Sequence, residues 1–233
     1  DEGKLLLAKF SHPGDDWDVM AWEKTALDIA GAAGMAVPSS KLVRIGNDSV
    51  LLLERFDRIG SLEKGDRIPY LSAMSLVGAH DGDSCDYANV ADALSVWTAD
   101  PCRELAELFR RIVLSVALHN TDDHLRNLGL VRKGAGWTLA PVFDVNINPA
   151  ASRDRVTAIF GEVGRGEVEG LDSLGEICGL KAEERANIVR QILAAVCQWR
   201  AFAKRNKCKD SECDLMGRVI GERCTALESR FAR

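Results

Sequence analysis

Residues Asn120-Thr121-Asp122-Asp123-His124-Leu125-Arg126-Asn127 place two carboxylates, a histidine, an arginine and two carboxamides in eight consecutive positions. Helix capping accounts for one or two such groups, not for all of them. The stretch follows a long apolar pattern read as a helix over Arg103–His119. It precedes a hairpin pattern, Leu128–Val131 and Trp137–Ala140, turning at Lys133-Gly134-Ala135-Gly136. Asn127 stands just before the first strand of that hairpin, and Asp144 comes shortly after the second. The two ends of a hairpin are adjacent, so Asn127 and Asp144 are expected to converge. Two oxygen donors at one point suit Mg2+, which favours carboxylate, carbonyl and water oxygens.

Upstream, Leu5–Phe10 reads as a buried strand with Lys9 inside it. An uncompensated buried charge is costly, so Lys9 needs a partner. A helix is expected over Trp17–Ala33, with Asp15 and Asp16 near its start and Gly34 as its stop. Within it, Val19, Met20, Ala26 and Leu27 stand three and four positions from Glu23 and put that carboxylate on an apolar, inward stripe. A Lys9–Glu23 ion pair follows; the alternative is a lysine snorkelling to water beside an unrelated glutamate. Strands are expected at Lys41–Ile45 and Val50–Phe56, joined by Gly46-Asn47-Asp48-Ser49, and then a loop over 57–69. Further helices are expected at Leu71–Ala79 and Asn89–Trp97, and three more near residues 175, 193 and 220. The pattern is α+β and two-lobed: a strand-rich part over 1–69 and a helical part over 70–233, with a cleft between them as the place for a ligand.

Composition sets bounds. Of 233 residues, 46% are hydrophobic and 28% charged, which excludes a disordered chain. Apolar runs fall short of the ~18–20 residues that a membrane span needs. The net charge of −5 argues against broad binding to nucleic acid. The seven cysteines are scattered, and no histidine follows Cys208 and Cys213, so reduced thiols in a cytoplasmic protein fit better than zinc. The chain opens Asp1-Glu2-Gly3-Lys4 without a starting Met or a signal core, and it reads as a segment of a longer protein. His80-Asp81-Gly82-Asp83-Ser84-Cys85 reads as a polar turn. His12 is expected to be exposed, and His119 to be a cation at a helix end. Trp22, Trp97 and Trp199 are expected in the core. Arg55, Asp57 and Arg58 form either a surface ion-pair cluster or part of a hinge.

Asp122 and Asn127 have the spacing of the catalytic-loop aspartate and metal-binding asparagine of eukaryotic-type protein kinases. Asp144, in Pro141-Val142-Phe143-Asp144-Val145, stands where the kinase metal aspartate would, without the Phe-Gly that usually follows. The chain resembles more closely the HipA family of bacterial serine/threonine kinases, the toxins of HipA–HipB systems. The resemblance rests on the Lys9 strand, Glu54-Arg55-Phe56-Asp57-Arg58, Thr121–Asn127 and Pro141–Asp144, taken in order. It implies a two-lobed protein-kinase-like fold with a hinge at 54–58, a catalytic loop at 120–127 and a metal-site hairpin at 128–144. It implies ATP and Mg2+ as cofactors. Lys9 would hold the α/β-phosphates and Glu23 would orient Lys9. Main-chain groups of Glu54, Arg55 and Phe56 would bond adenine, and Phe143 would line the pocket. Asp122 would accept or orient the substrate hydroxyl, His124 would sit near the nucleotide, and Asn127 and Asp144 would ligate the metal. A protein substrate with a Ser or Thr acceptor, such as an aminoacyl-tRNA synthetase, and a HipB-like DNA-binding antitoxin are the implied partners. Nucleic acid would be met mainly through the antitoxin, and no membrane is implied. The basic run Arg200, Lys204, Arg205, Lys207 and Lys209 is either a solvated helix end or a contact for nucleic acid or antitoxin. The family also carries an N-terminal subdomain and a glycine-containing phosphate loop with an autophosphorylated serine. No Gly-rich loop precedes Lys9, so the isolated chain is expected to bind nucleotide weakly or not at all and to be inactive by itself. Two rival functions are a catalytically inactive kinase-like interaction module and a metal-dependent phosphohydrolase built on Asp122, Asp123, His124 and Asp144.

Overall fold

The computed structural model describes residues 4–46, 48–60 and 65–231. Asn47 of the expected turn and residues 61–64 of the expected loop lie outside the described residues. The chain begins with β1 (Leu6–Phe10), α1 (Val19–Ala32), β2 (Ser40–Ile45) and β3 (Asp48–Glu54). The three strands form an antiparallel sheet in the order β1-β3-β2. α1 starts two residues later than the sequence suggests, because Asp18, not Asp15 or Asp16, caps it by accepting from Ala21 N–H. Its end is a Schellman turn. Gly34 sits at φ 81° and Met35 N–H donates to Ala30 O at 3.0 Å, which suits a residue without Cβ.

α1 has two apolar faces. Met20 and Leu27 pack with Leu51 and Leu53 of β3 in a small core, whereas Trp22, Ala26, Ile29 and Ala30 enter the main core. The helix therefore binds the sheet to the rest of the molecule, and Glu23 and Thr25, fully buried, lie in it.

A short ribbon, β4 (Arg58–Ile59) and β5 (Asp66–Arg67), leads to β6 (Tyr70–Ser72) and α2 (Ala73–Leu76). The expected helix Leu71–Ala79 is thus mostly absent. Tyr70–Ser72 pairs with Val131–Gly129, and this ladder outweighs the local helical pattern. Then come β7 (Cys85–Asp86), α3 (Tyr87–Trp97), α4 (Pro101–Ala117), β8 (Gly129–Lys133), β9 (Gly136–Leu139) and β10 (Thr157–Ala158). α5 (Glu167–Ile177), α6 (Ala182–Val196), α7 (Trp199–Arg205) and α8 (Asp210–Phe231) complete the chain, four helices where three stretches were expected. The hairpin β8–β9 turns through Gly134 at φ 60° and becomes a three-stranded sheet with β6. α4 is the axis of the larger lobe: Leu108, Phe109, Val113, Leu114 and Ala117 are all at most 1% exposed.

Three further expectations fail. β1, expected as a buried strand, exposes Leu6, Leu7 and Phe10 at 43%, 50% and 65%, because it is an outer strand of its sheet. Trp97 is 60% exposed, unlike Trp22 and Trp199, because it ends α3 where the helix leaves the core. His119 is no exposed helix-end cation. It occupies the left-handed position after α4 (φ 50°), usually a glycine's, while Asn120 N–H closes the turn on Ser115 O. Its ring is buried and its Nε2 lies 3.1 Å from Ala150 O. Burial lowers its pKa against the opposing pull of that carbonyl.

Candidate active site in the interlobe cleft

Lys9 is central to the site. Its Nζ lies 2.7 and 2.6 Å from the two Glu23 oxygens and 2.5 Å from Asp144 Oδ1. The Glu23 side chain is wholly buried, whereas Lys9 and Asp144 keep 25% and 31% of theirs exposed at the cleft surface. Burial alone would lower the Lys9 pKa, but the charges of Glu23 and Asp144 outweigh it and raise it, so the ammonium stays charged. For Glu23 the balance falls the other way, with burial raising it against Lys9.

Above this cation opens a cavity of about 390 Å³. Leu7, Pro38 and Leu53 give it an apolar wall, and Glu54 to Asp57 form its rim. Phe56, Tyr70 and Phe143 stack around one another, with ring centroids 5.6–6.5 Å apart. A flat, apolar slot edged by main chain suits a planar heterocycle. The N–H groups of Glu54 and Arg55 are already used by Ser39 O and Leu5 O, at 2.8 and 3.0 Å. That leaves Phe56 and Asp57, for which the described residues supply no backbone partner, as main-chain donors at the rim. Arg55 grips Asp57 through Nε and a terminal nitrogen at 2.8 and 2.6 Å, so the ion-pair cluster and the rim are one feature. Tyr70 was not legible as a site residue. Its ring sits over Gly129, where any Cβ would meet its hydroxyl at 2.3 Å.

Phe143 and Asp144 also line a deeper recess of about 50 Å³, together with His124, Asn127 and Asp123. The hairpin brings Asn127 and Asp144 to the same recess. Asp144 holds φ 56°, a left-handed conformation that costs a non-glycine residue energy and recurs at functional positions. Asn127 Nδ2 donates to Asp122 O at 3.3 Å, and Asp122 itself is exposed beside the cleft. Among the described residues, no three His, Cys, Asp or Glu side chains form a metal cluster. The donor set here is Asn plus Asp, which fits Mg2+ held by one or two protein oxygens, substrate phosphates and water. His124 Nδ1 in this recess, and Asn146 Oδ1, whose amide nitrogen donates to Asp144 Oδ1 at 3.3 Å, are buried without a hydrogen-bond partner among the described residues.

Asp123 does something different. Its carboxylate accepts from Tyr87 Oη at 2.9 Å and from Arg155, which also bonds Ser115 Oγ at 2.8 Å and Glu167 at 3.0 Å. Arg223 meets the other Glu167 oxygen at 2.9 Å. This buried network anchors the 120–127 loop to the segment before α5 and to α8. It also commits Asp123, which weakens the phosphohydrolase alternative. Arg155 and Glu167 carry no sequence signature for this role. Elsewhere, burial pushes the Cys208 thiol up to about 12, so it remains protonated.

A strand lysine paired with a helix glutamate and a following aspartate, beside a cleft edged by main chain, on a two-lobed α+β scaffold, defines a protein-kinase-like protein. Residues 1–200 match the family model of the HipA-like C-terminal domain, and the chain belongs to that family. A Haemophilus influenzae protein named "Putative kinase" is 26% identical over 140 aligned positions, covering 54% of this chain and 41% of that protein. The fold resembles HipA of Shewanella oneidensis MR-1, solved with HipB and operator DNA (TM-score 0.75, 15% identity, 96% of this chain and 58% of that one). It also resembles the Helicobacter pylori proinflammatory kinase CtkA (TM-score 0.66, 14% identity, 99% of this chain and 90% of that one). The chain thus spans under half of its Haemophilus relative and under two thirds of HipA.

Proposed function

We propose that the chain is the catalytic region of an ATP- and Mg2+-dependent protein serine/threonine kinase of HipA type. The observation that carries this reading is the Lys9 bridge between Glu23 and Asp144 at the floor of the aromatic slot. In this reading the smaller lobe covers 1–69 with a hinge at 54–58, and the larger lobe covers 70–233. Adenine enters between Phe56, Tyr70 and Phe143, with the Phe56 main chain as its partner. Lys9, oriented by Glu23, binds phosphate oxygens; Asn127 and Asp144 hold Mg2+, which neutralises developing phosphate charge. His124 Nδ1 lies against the nucleotide. Asp122 accepts or orients the hydroxyl of the acceptor residue, within reach of solvent and of a protein substrate.

HipA-type toxin function, a substrate such as an aminoacyl-tRNA synthetase, a HipB-like antitoxin and a cytoplasmic location extend the same reading. They are supported by family membership and by the partners of the Shewanella protein. The test is transfer of labelled γ-phosphate to the protein itself or to a Ser/Thr-containing acceptor. Asp122→Ala is expected to keep nucleotide binding and lose transfer by at least about 100-fold. Normal transfer by that variant would remove Asp122 from its assigned role.

A further inference from the structure

A separate cavity of about 380 Å³ shares no lining residue with the cleft or its recess. Five cations wall it: Lys24, Lys41, Arg44, Arg205 and Lys207. None of its described lining residues is acidic, in a chain whose net charge is −5. The acids behind the wall are already engaged. Asp28 takes Lys24, Arg205 at 2.9 Å and the Asn206 amide at 2.9 Å, and Asp18 takes Arg44 at 3.1 Å. Among the described residues, no carboxylate pairs with Lys41 or Lys207.

One side of this cavity is a sheet edge, since β2 is the outer strand in the order β1-β3-β2. Glu54 N–H donates to Ser39 O, which fixes the alternation along β2. Lys41 and Val43 turn their main-chain groups toward β3, and Ser40 and Leu42 turn theirs outward. Ser40 and Leu42 both line the cavity. The Leu42 side chain packs with Leu51 and Leu53 on the α1 side of the sheet, and Arg44 shares that face, which looks toward the cations of α1 and α7, whereas Lys41 points to the opposite face.

We propose that this edge docks an extended acidic segment of a partner protein, which adds as a strand beside β2 and sets alternate carboxylates against Lys24, Arg44, Arg205 and Lys207. Outward main-chain groups supply the pairing, and the two-residue period of a strand puts every second side chain on the cationic face. A second copy of the chain is a poor occupant, because its own β2 would bring Lys41 and Arg44 against like charges. The site lies outside the kinase machinery and stands whether or not the cleft binds nucleotide.

The probe is a fluorescent peptide of alternating Glu and Thr, about seven residues long, titrated at low ionic strength where surface charges act most strongly. Saturable binding is expected. Arg205→Ala with Lys207→Glu should weaken it at least about tenfold, whereas Lys204→Glu, outside the cavity, should change it by less than about twofold. N-methylation of the peptide's alternate amides, which spares its charge, should abolish binding. Circular dichroism shows that the variants are folded. Indifference to the double variant, unchanged binding of the N-methylated peptide, or equal binding of an oligonucleotide of the same charge would each overturn the proposal. So would a dimer formed through β2 and lost in the double variant.

Discussion

At the scale of single residues, Lys9 satisfies three carboxylate oxygens at once, and its loss leaves two acids facing each other. Lys9→Met is therefore expected to destabilise the fold by about 2–3 kcal/mol. That is less than the ~3–5 kcal/mol of a fully buried broken pair, because Lys9 and Asp144 are partly solvated. Adding Glu23→Gln should restore most of the loss, and denaturant midpoints of the double-mutant cycle check this. His119 offers a pH test. Burial lowers its pKa, so below the unfolded value of about 6.5 the unfolded chain binds the proton first. Its contribution is present at pH 7 and is lost as pH falls through the depressed folded value. Replacing it by Asn, which tolerates the left-handed position, should flatten the fall in melting temperature below pH 6.5. The Lys9–Glu23 pair was legible because a charge inside an apolar strand demands compensation. Arg155 was not, because its partners Asp123 and Ser115 stand 32 and 40 positions away with no recurring spacing.

Elements were legible where local pattern and tertiary packing agree. The long helix α4, the hairpin β8–β9 and the stop at Gly34 are all written in periodicity and turn chemistry. Residues 71–79 were misread because their helical pattern competes with a strand ladder to β8, a contact more than 50 positions away. That ladder also explains Tyr70, whose ring is placed by the absence of a side chain at Gly129. Gly129→Ala should force the ring aside at a cost of about 1–3 kcal/mol. Lower thermal stability and weaker nucleotide affinity should appear together in that variant. A melting temperature unchanged from wild type would show that Tyr70 is free to move.

For the whole molecule, two arrangements join the cleft to the rest of the fold. α1 shares its residues between the small sheet core and the main core, and the Asp123–Arg155–Glu167–Arg223 network ties the 120–127 loop to α5 and α8. Arg155→Met, which strands two buried carboxylates, is expected to cost about 3–5 kcal/mol and to lower the unfolding midpoint in urea. The fold class was legible because strand-rich and helix-rich halves follow one another. The four-residue bridge through Arg155 was not, since it unites distant segments that only the folded chain brings together. The central claim is that the slot between the lobes receives a magnesium-bound nucleotide on Lys9, Asn127 and Asp144. Calorimetric titration with ATP, with and without Mg2+, beside Asp144→Ala, tests it most directly. The account predicts binding that requires Mg2+ and weakens at least about tenfold in the variant, a loss of about 1.4 kcal/mol or more. Mg2+-independent binding, or equal affinity in Asp144→Ala, would contradict it.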